Sequence, residues 1–213
     1  HPAFTDLDGD GDKDMYIGDL QGRLHYYRNN ATGPQASFQL QQANITDAGG
    51  TQIDVGQFAA PFFHDLDGDE LQDLLVGERN GNVNYYRNTG TSSNPQWTLV
   101  NENLGGVSTV EWINVTGHAV PAIFVNDQGE REMVLGSESG GIYRYTGIEG
   151  NIDGTWTRQD TAWRGIDDGA RTALCLHDFT GDGQLDLVIG NYRGGLSFWR
   201  SDELTTVANE TRP

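Results

Sequence analysis

The sequence predicts an all-β protein, a β-propeller of four four-stranded antiparallel blades. Three observations carry this. An acidic loop running straight into an apolar strand occurs three times: Asp6-Leu7-Asp8-Gly9-Asp10-Gly11-Asp12-Lys13-Asp14 before Met15–Gly18, Asp65–Asp73 before Leu74–Gly77, and Asp178–Asp186 before Leu187–Gly190. The glycines that close these strands, with Gly136 of a decayed fourth copy, lie 59, 59 and 54 residues apart, a period of solenoids, propellers or arrays. No window sustains a 3.6-residue apolar period.

Each repeat reads as four strands. The first is apolar, as in Pro2-Ala3-Phe4, Ala60-Pro61-Phe62-Phe63 and Thr172–Leu176. The acidic loop and the glycine-closed strand follow. A second glycine-centred turn then opens an aromatic strand: Gly22–Tyr27, Gly81–Tyr86, Gly140–Tyr145 and Gly194–Trp199. Asn80-Gly81 fits a type I′ hairpin. A short edge strand recurs at Phe38-Gln39-Leu40, Trp97-Thr98-Leu99 and Trp156-Thr157-Arg158, and Leu204–Val207 is the expected fourth. The chain 1–213 is one domain with repeats at about 1–58, 59–117, 118–171 and 172–213. A four-stranded unit cannot bury both faces alone, so the units stack radially. A closed four-bladed ring and part of a larger propeller both satisfy this pattern.

Carboxylates at alternate loop positions repel one another unless a cation sits between them. Hard oxygen donors in a flexible loop favour Ca²⁺, which takes 6–8 oxygens at about 2.3–2.6 Å. An EF-hand is excluded, because its twelfth loop position is a bidentate Glu between helices. Here that position is Ile17, Val76 or Ile189, inside a strand. The ligand set therefore closes at position 9, on Asp14, Asp73 or Asp186, and position 7 offers a backbone carbonyl from Asp12, Leu71 or Gln184. The first loop is complete. The second has Glu70 where glycine is expected, and the third has the weaker ligand Thr180 beside Asp178 and Asp182. Two or three Ca²⁺ ions are expected. None is expected at Asn126–Glu132, which is short, poor in carboxylates and carries Arg131.

The core D-x-D-x-D-G-x-x-D-[LM]-x-[VI]-G resembles the FG-GAP/VCBS repeat of integrin α-subunit propellers and of many secreted bacterial proteins. The resemblance covers almost the whole chain. It implies one Ca²⁺ on Asp6, Asp8, Asp10 and Asp14, one on Asp65, Asp67, Asp69 and Asp73, and a third on Asp178, Thr180, Asp182 and Asp186. The family usually builds seven blades, and four is a departure.

The net charge is −18, and twelve Asp residues of the three loops supply much of it. That balance argues against nucleic acid, which needs basic patches. Acidic calcium loops suit the plentiful calcium outside cells, so the expected localisation is secreted or cell-surface. No membrane-spanning stretch is visible, and membrane insertion is not expected. Cys175 is the single cysteine and is expected as a buried thiol on a strand.

No G-x-S-x-G, H-E-x-x-H or phosphate-cradling motif is present. His64 and His177 recur with the repeat and read as structural, whereas His25 and His118 have no evident partner. Departures from the repeat concentrate in the degenerate loop and in residues 148–170, with Trp156, Trp163, Arg164, Asp167 and Asp168, followed by Arg171. The leading expectation is an extracellular calcium-stabilised module for adhesion or for binding a glycan or protein. Behind it stand a self-assembling structural subunit, whose partner is a copy of itself, and the propeller part of a secreted polysaccharide-active enzyme.

Overall fold

The computed structural model describes residues 1–200. Four small antiparallel sheets are arranged as a four-bladed β-propeller. Blade 1 holds β1 (Pro2–Thr5), β2 (Asp14–Gly18), β3 (Leu24–Asn29) and β4 (Phe38–Gln42). Blade 2 holds β5 (Ala60–His64), β6 (Asp73–Gly77), β7 (Val83–Asn88) and β8 (Trp97–Asn101). Blade 3 holds β9 (Val120–Val125), β10 (Arg131–Gly136), β11 (Tyr143–Thr146) and β12 (Thr157–Asp160). Blade 4 shows β13 (Ala173–His177), β14 (Asp186–Gly190) and β15 (Leu196–Trp199); the strand expected at Leu204–Val207 lies outside the described residues.

Strand alternation divides each blade into two packing faces. On β6, Leu74 and Val76 point back into a cluster with Tyr16, Leu24, Ile45 and Ile53 of the first repeat, while Leu75 points forward to Met133 and Leu135. Val134 joins Leu187 and Ile189 at the next junction. Three apolar clusters thus cement blades 1 to 2, 2 to 3 and 3 to 4.

The strand-closing glycines mark where blades touch. A Cβ on Gly18, Gly77 or Gly136 would collide with the carbonyl of Ala59, Ala119 or Thr172, just before the next blade's first strand. Two backbone hydrogen bonds recur at each of these crossings, for example Ala119 N–H to Glu78 O at 3.0 Å and His118 N–H to Arg79 O at 3.1 Å.

The fourth junction differs. In a four-bladed propeller the first and last blades are neighbours. Yet no apolar cluster joins them among the described residues. Leu24, Val83 and Ile142 occupy one repeat position at 0% exposure, whereas their equivalent Leu196 is 78% exposed. On the opposite face, Trp97 and Trp156 are 3% and 4% exposed, and the equivalent Phe38 is 39% exposed.

Two local expectations are corrected. Cys175 is exposed, because it lies on the face of β13 that turns away from blade 3. The turn at Asn80-Gly81 is not type I′: only Gly81 has positive φ, 88°, and its N–H closes a turn on Glu78 O at 3.0 Å.

Candidate functional site

The three acidic loops join the first and second strands of blades 1, 2 and 4, so the repeat places them at the same end of each blade. Each loop is folded by its own carboxylates. Asp6 accepts from Gly9 N–H at 2.8 Å and Gly11 N–H at 3.1 Å; Asp65 accepts from Gly68 at 2.8 Å and Glu70 at 2.9 Å; Asp178 accepts from Gly181 at 2.6 Å and Gly183 at 2.9 Å. The fifth-position carboxylates repeat one bond, as Asp10, Asp69 and Asp182 accept from Asp12, Leu71 and Gln184 N–H at 3.0, 2.9 and 2.9 Å. Glu70 takes the turn of the expected glycine with φ of 70°, a left-handed conformation that disfavours side chains.

Two loops bring carboxylates together. Ligand atoms of Asp6, Asp8 and Asp10 lie within 4.8 Å of one another, as do those of Asp65, Asp67 and Asp73. These hard oxygen sets fit a divalent cation. Asp69 is outside the second triad, and Asp14 is outside the first. Around Asp178, Thr180, Asp182 and Asp186 no such triad forms among the described residues.

The ninth-position aspartates have a second job. Asp14, Asp73 and Asp186 are fully buried at the base of their loops. Asp73 accepts from Tyr85 O–H at 2.9 Å, Asn88 N–H at 2.8 Å and Leu66 N–H at 3.2 Å. Asp14 accepts from Tyr26 O–H at 2.9 Å and Asn29 N–H at 2.8 Å. In blade 4 Phe198 replaces the tyrosine, and Asp186 accepts instead from Phe179 and Thr180 N–H, both at 3.0 Å. Burial pushes the Asp14 and Asp73 carboxyls above the usual range, against these hydrogen bonds.

Blade 3 replaces this arrangement with an ion pair. Glu132 holds the ninth-position place, and Arg144 holds that of Tyr26 and Tyr85. Arg144 binds both Glu132 oxygens at 2.6 and 2.8 Å, and Asn126 donates at 2.8 Å. A fixed guanidinium thus meets the carboxylate at that loop.

Two arginines missed by the sequence reading face the loops. Arg28 lies 2.5 Å from Asp8 and 3.4 Å from Asp10, and Arg87 lies 2.7 Å from Asp67. The signal was available: arginine follows the aromatic pair in each acidic-loop repeat, as Arg28, Arg87 and Arg200, and becomes Thr146 in the degenerate one.

The other candidates separate. Trp156 is core, its Nε1–H donating to Asn151 O at 3.0 Å. Trp163 is buried with its ring centre 5.6 Å from that of Phe124, so neither tryptophan forms a surface platform. His25 does have a partner, Asp19, at 3.1 Å, and His118 pairs with Glu138 at 2.9 Å. No protein-family model matches the sequence, and no curated protein matches it.

Proposed function

We propose that the chain is an extracellular module of the FG-GAP/VCBS type whose acidic loops bind Ca²⁺ and stiffen a propeller that presents a ligand-binding surface. The observation that carries this is the pair of aspartate triads, Asp6–Asp8–Asp10 and Asp65–Asp67–Asp73, in loops of one design. A cation there neutralises carboxylates that otherwise repel, and it ties each loop to its blade. The glycan or protein ligand, the secreted location and the third ion at Asp178–Asp186 belong to the same proposal. The test is thermal unfolding with calcium or with chelator, read together with light scattering. A calcium-dependent rise in midpoint at constant particle size supports the reading, and no response to calcium refutes it.

One observation favours self-assembly as a second reading. Phe4, Phe38 and Leu40 on blade 1, and Phe179, Leu196 and Phe198 on blade 4, leave apolar side chains exposed on both sides of the fourth junction. At the other three junctions the residues equivalent to Phe38 and Leu196 are buried, so a second copy could cover this face. Growth of the particle in the same experiment, reversed by Leu196→Asp, would favour assembly over the isolated module.

A further inference from the structure

The end of the propeller opposite the acidic loops carries a group of side chains that the repeat does not explain. Phe58, His118 and Arg171 stand at one repeat position, immediately before Ala59, Ala119 and Thr172. All three have left-handed backbones, with φ of 56°, 48° and 57°. Their N–H groups donate to the carbonyls of Leu20, Arg79 and Glu138 at 3.2, 3.1 and 3.1 Å. The backbone therefore repeats faithfully while the side chains are phenylalanine, histidine and arginine. The carbonyl partners vary too, and Tyr192 is their fourth equivalent. A fixed frame with changing side chains is how a rigid scaffold displays a binding surface.

These side chains converge. The Phe58 and His118 rings lie 4.6 Å apart. The Arg171 guanidinium carbon sits 5.6 Å from the Phe58 ring centre and 5.3 Å from that of Tyr192. Its Nε–H donates to both Glu138 oxygens, at 3.1 and 3.2 Å, and His118 Nε2 meets the same carboxylate at 2.9 Å. Arg79 stands near enough that its charge and that of Arg171 act on His118, whose pKa is lowered first by burial and then by these two arginines against Glu138. Two basic groups, Arg171 and His118, thus share the Glu138 carboxylate with Arg79 nearby, in a chain where acidic residues outnumber Lys and Arg by 31 to 13.

Arg171 is positioned without being used up. Two aromatic rings and one carboxylate fix its plane, yet its two terminal nitrogens make no hydrogen bond among the described residues. A planar guanidinium held this way meets a carboxylate with two parallel hydrogen bonds. Tyr192 beside it is mostly exposed, as is Trp112 on a loop anchored by Glu111 to Ser139 at 3.0 Å and Tyr143 at 2.8 Å. Exposed aromatic faces with one polar tip suit the flat apolar face of a pyranose ring.

We infer that Arg171, with Tyr192, Phe58 and Glu138, forms a binding site for a carboxylate-bearing saccharide of the uronate class at the end of the propeller away from the acidic loops. Arg171 takes the carboxylate, Tyr192 stacks on the sugar, and Glu138 with His118 holds the arginine in place. The inference rests on reading the chain as a binding module, and it is independent of whether the loops bind calcium.

The test is isothermal titration of the full chain, in calcium, with three probes: tetragalacturonate, the same tetrasaccharide fully methyl-esterified, and a tetraglutamate peptide. Tetragalacturonate is expected to bind at least tenfold more tightly than the ester or the peptide. Arg171→Gln should remove that preference, and Tyr192→Ala should weaken binding severalfold, both with an unchanged unfolding midpoint. Equal binding of acid and ester overturns the carboxylate role, and equal binding of peptide overturns the saccharide class. Binding that survives Arg171→Gln overturns the site, because an acidic sugar bridged by calcium at the opposite end would behave that way. No binding of any probe by a protein that calcium does stabilise overturns this inference and leaves the calcium reading standing.

Discussion

Arg28 holds its guanidinium 2.5 Å from the Asp8 carboxylate, across the mouth of the first acidic loop. Arg87 repeats the contact with Asp67 one blade later. An arginine in this place balances a carboxylate cluster when no cation is present and competes for Asp8 when one arrives. Arg28→Ala should therefore tighten calcium binding by about fivefold with little change in calcium-free stability, since the side chain is exposed. Calorimetric titration and unfolding in chelator check the two halves. Weaker calcium binding in the variant would mean that the arginine helps to build the site.

Asp67→Asn keeps the shape of its loop and removes one negative charge from the ligand set. The unfolding midpoint in calcium should fall by several degrees, the equivalent of about 1–2 kcal/mol, with a much smaller change in chelator. An equal fall in both buffers would assign Asp67 a purely structural role.

The hydroxyl of Tyr85 donates to the buried Asp73 carboxylate, and blade 4 carries phenylalanine, Phe198, at the same repeat position. Tyr85→Phe should cost about 1–3 kcal/mol, because it strips a partner from a buried carboxylate without disturbing the packing. Denaturant unfolding of the variant measures this directly. A change under about 0.5 kcal/mol would mean that the two backbone donors alone satisfy Asp73.

Much of this was legible in the sequence. The glycine period and the alternating apolar strands give the blade count because a strand-closing Gly18, Gly77 or Gly136 is required wherever one blade's backbone crosses the next. The loops were legible because Asp6, Asp65 and Asp178 each fold their own turn locally. What was not legible depends on contacts between distant residues. The exclusion of Asp69 from its triad is set by three-dimensional placement within the loop. The burial of Trp156 and Trp163 follows from packing across blades, and the meeting of Phe58, His118 and Arg171 joins residues more than fifty positions apart. Cys175 sits on a regular apolar strand, and its exposure follows from its place on the side of β13 that faces away from blade 3.

The fourth junction gives a matched pair of substitutions. Gly77→Ala drives a Cβ into the Ala119 carbonyl and should destabilise the protein by about 3 kcal/mol or more. Gly190→Ala meets, among the described residues, only Leu196 Cδ2 at 3.5 Å and should change stability by less than about 1 kcal/mol. Equal and large losses, measured by thermal unfolding, would show that the fourth junction closes as tightly as the others.

Asp73 carries a pH signature. Burial raises its folded pKa above the unfolded value, so without calcium its protonation favours the fold at low pH, and that contribution is lost as pH rises through the folded pKa. A cation beside it favours the ionised form and reverses the shift. Carboxyl NMR titration of Asp73 should give a midpoint above the usual aspartate range in chelator and below it in calcium. An unchanged midpoint would place the ion elsewhere.

The central claim is that the acidic loops bind calcium, and a direct calcium titration of the chelator-stripped chain tests it most simply. The account predicts saturable binding of at least two ions per chain, with one site lost in Asp8→Asn and another in Asp67→Asn. Absence of saturable binding, or binding that both variants retain in full, would contradict it.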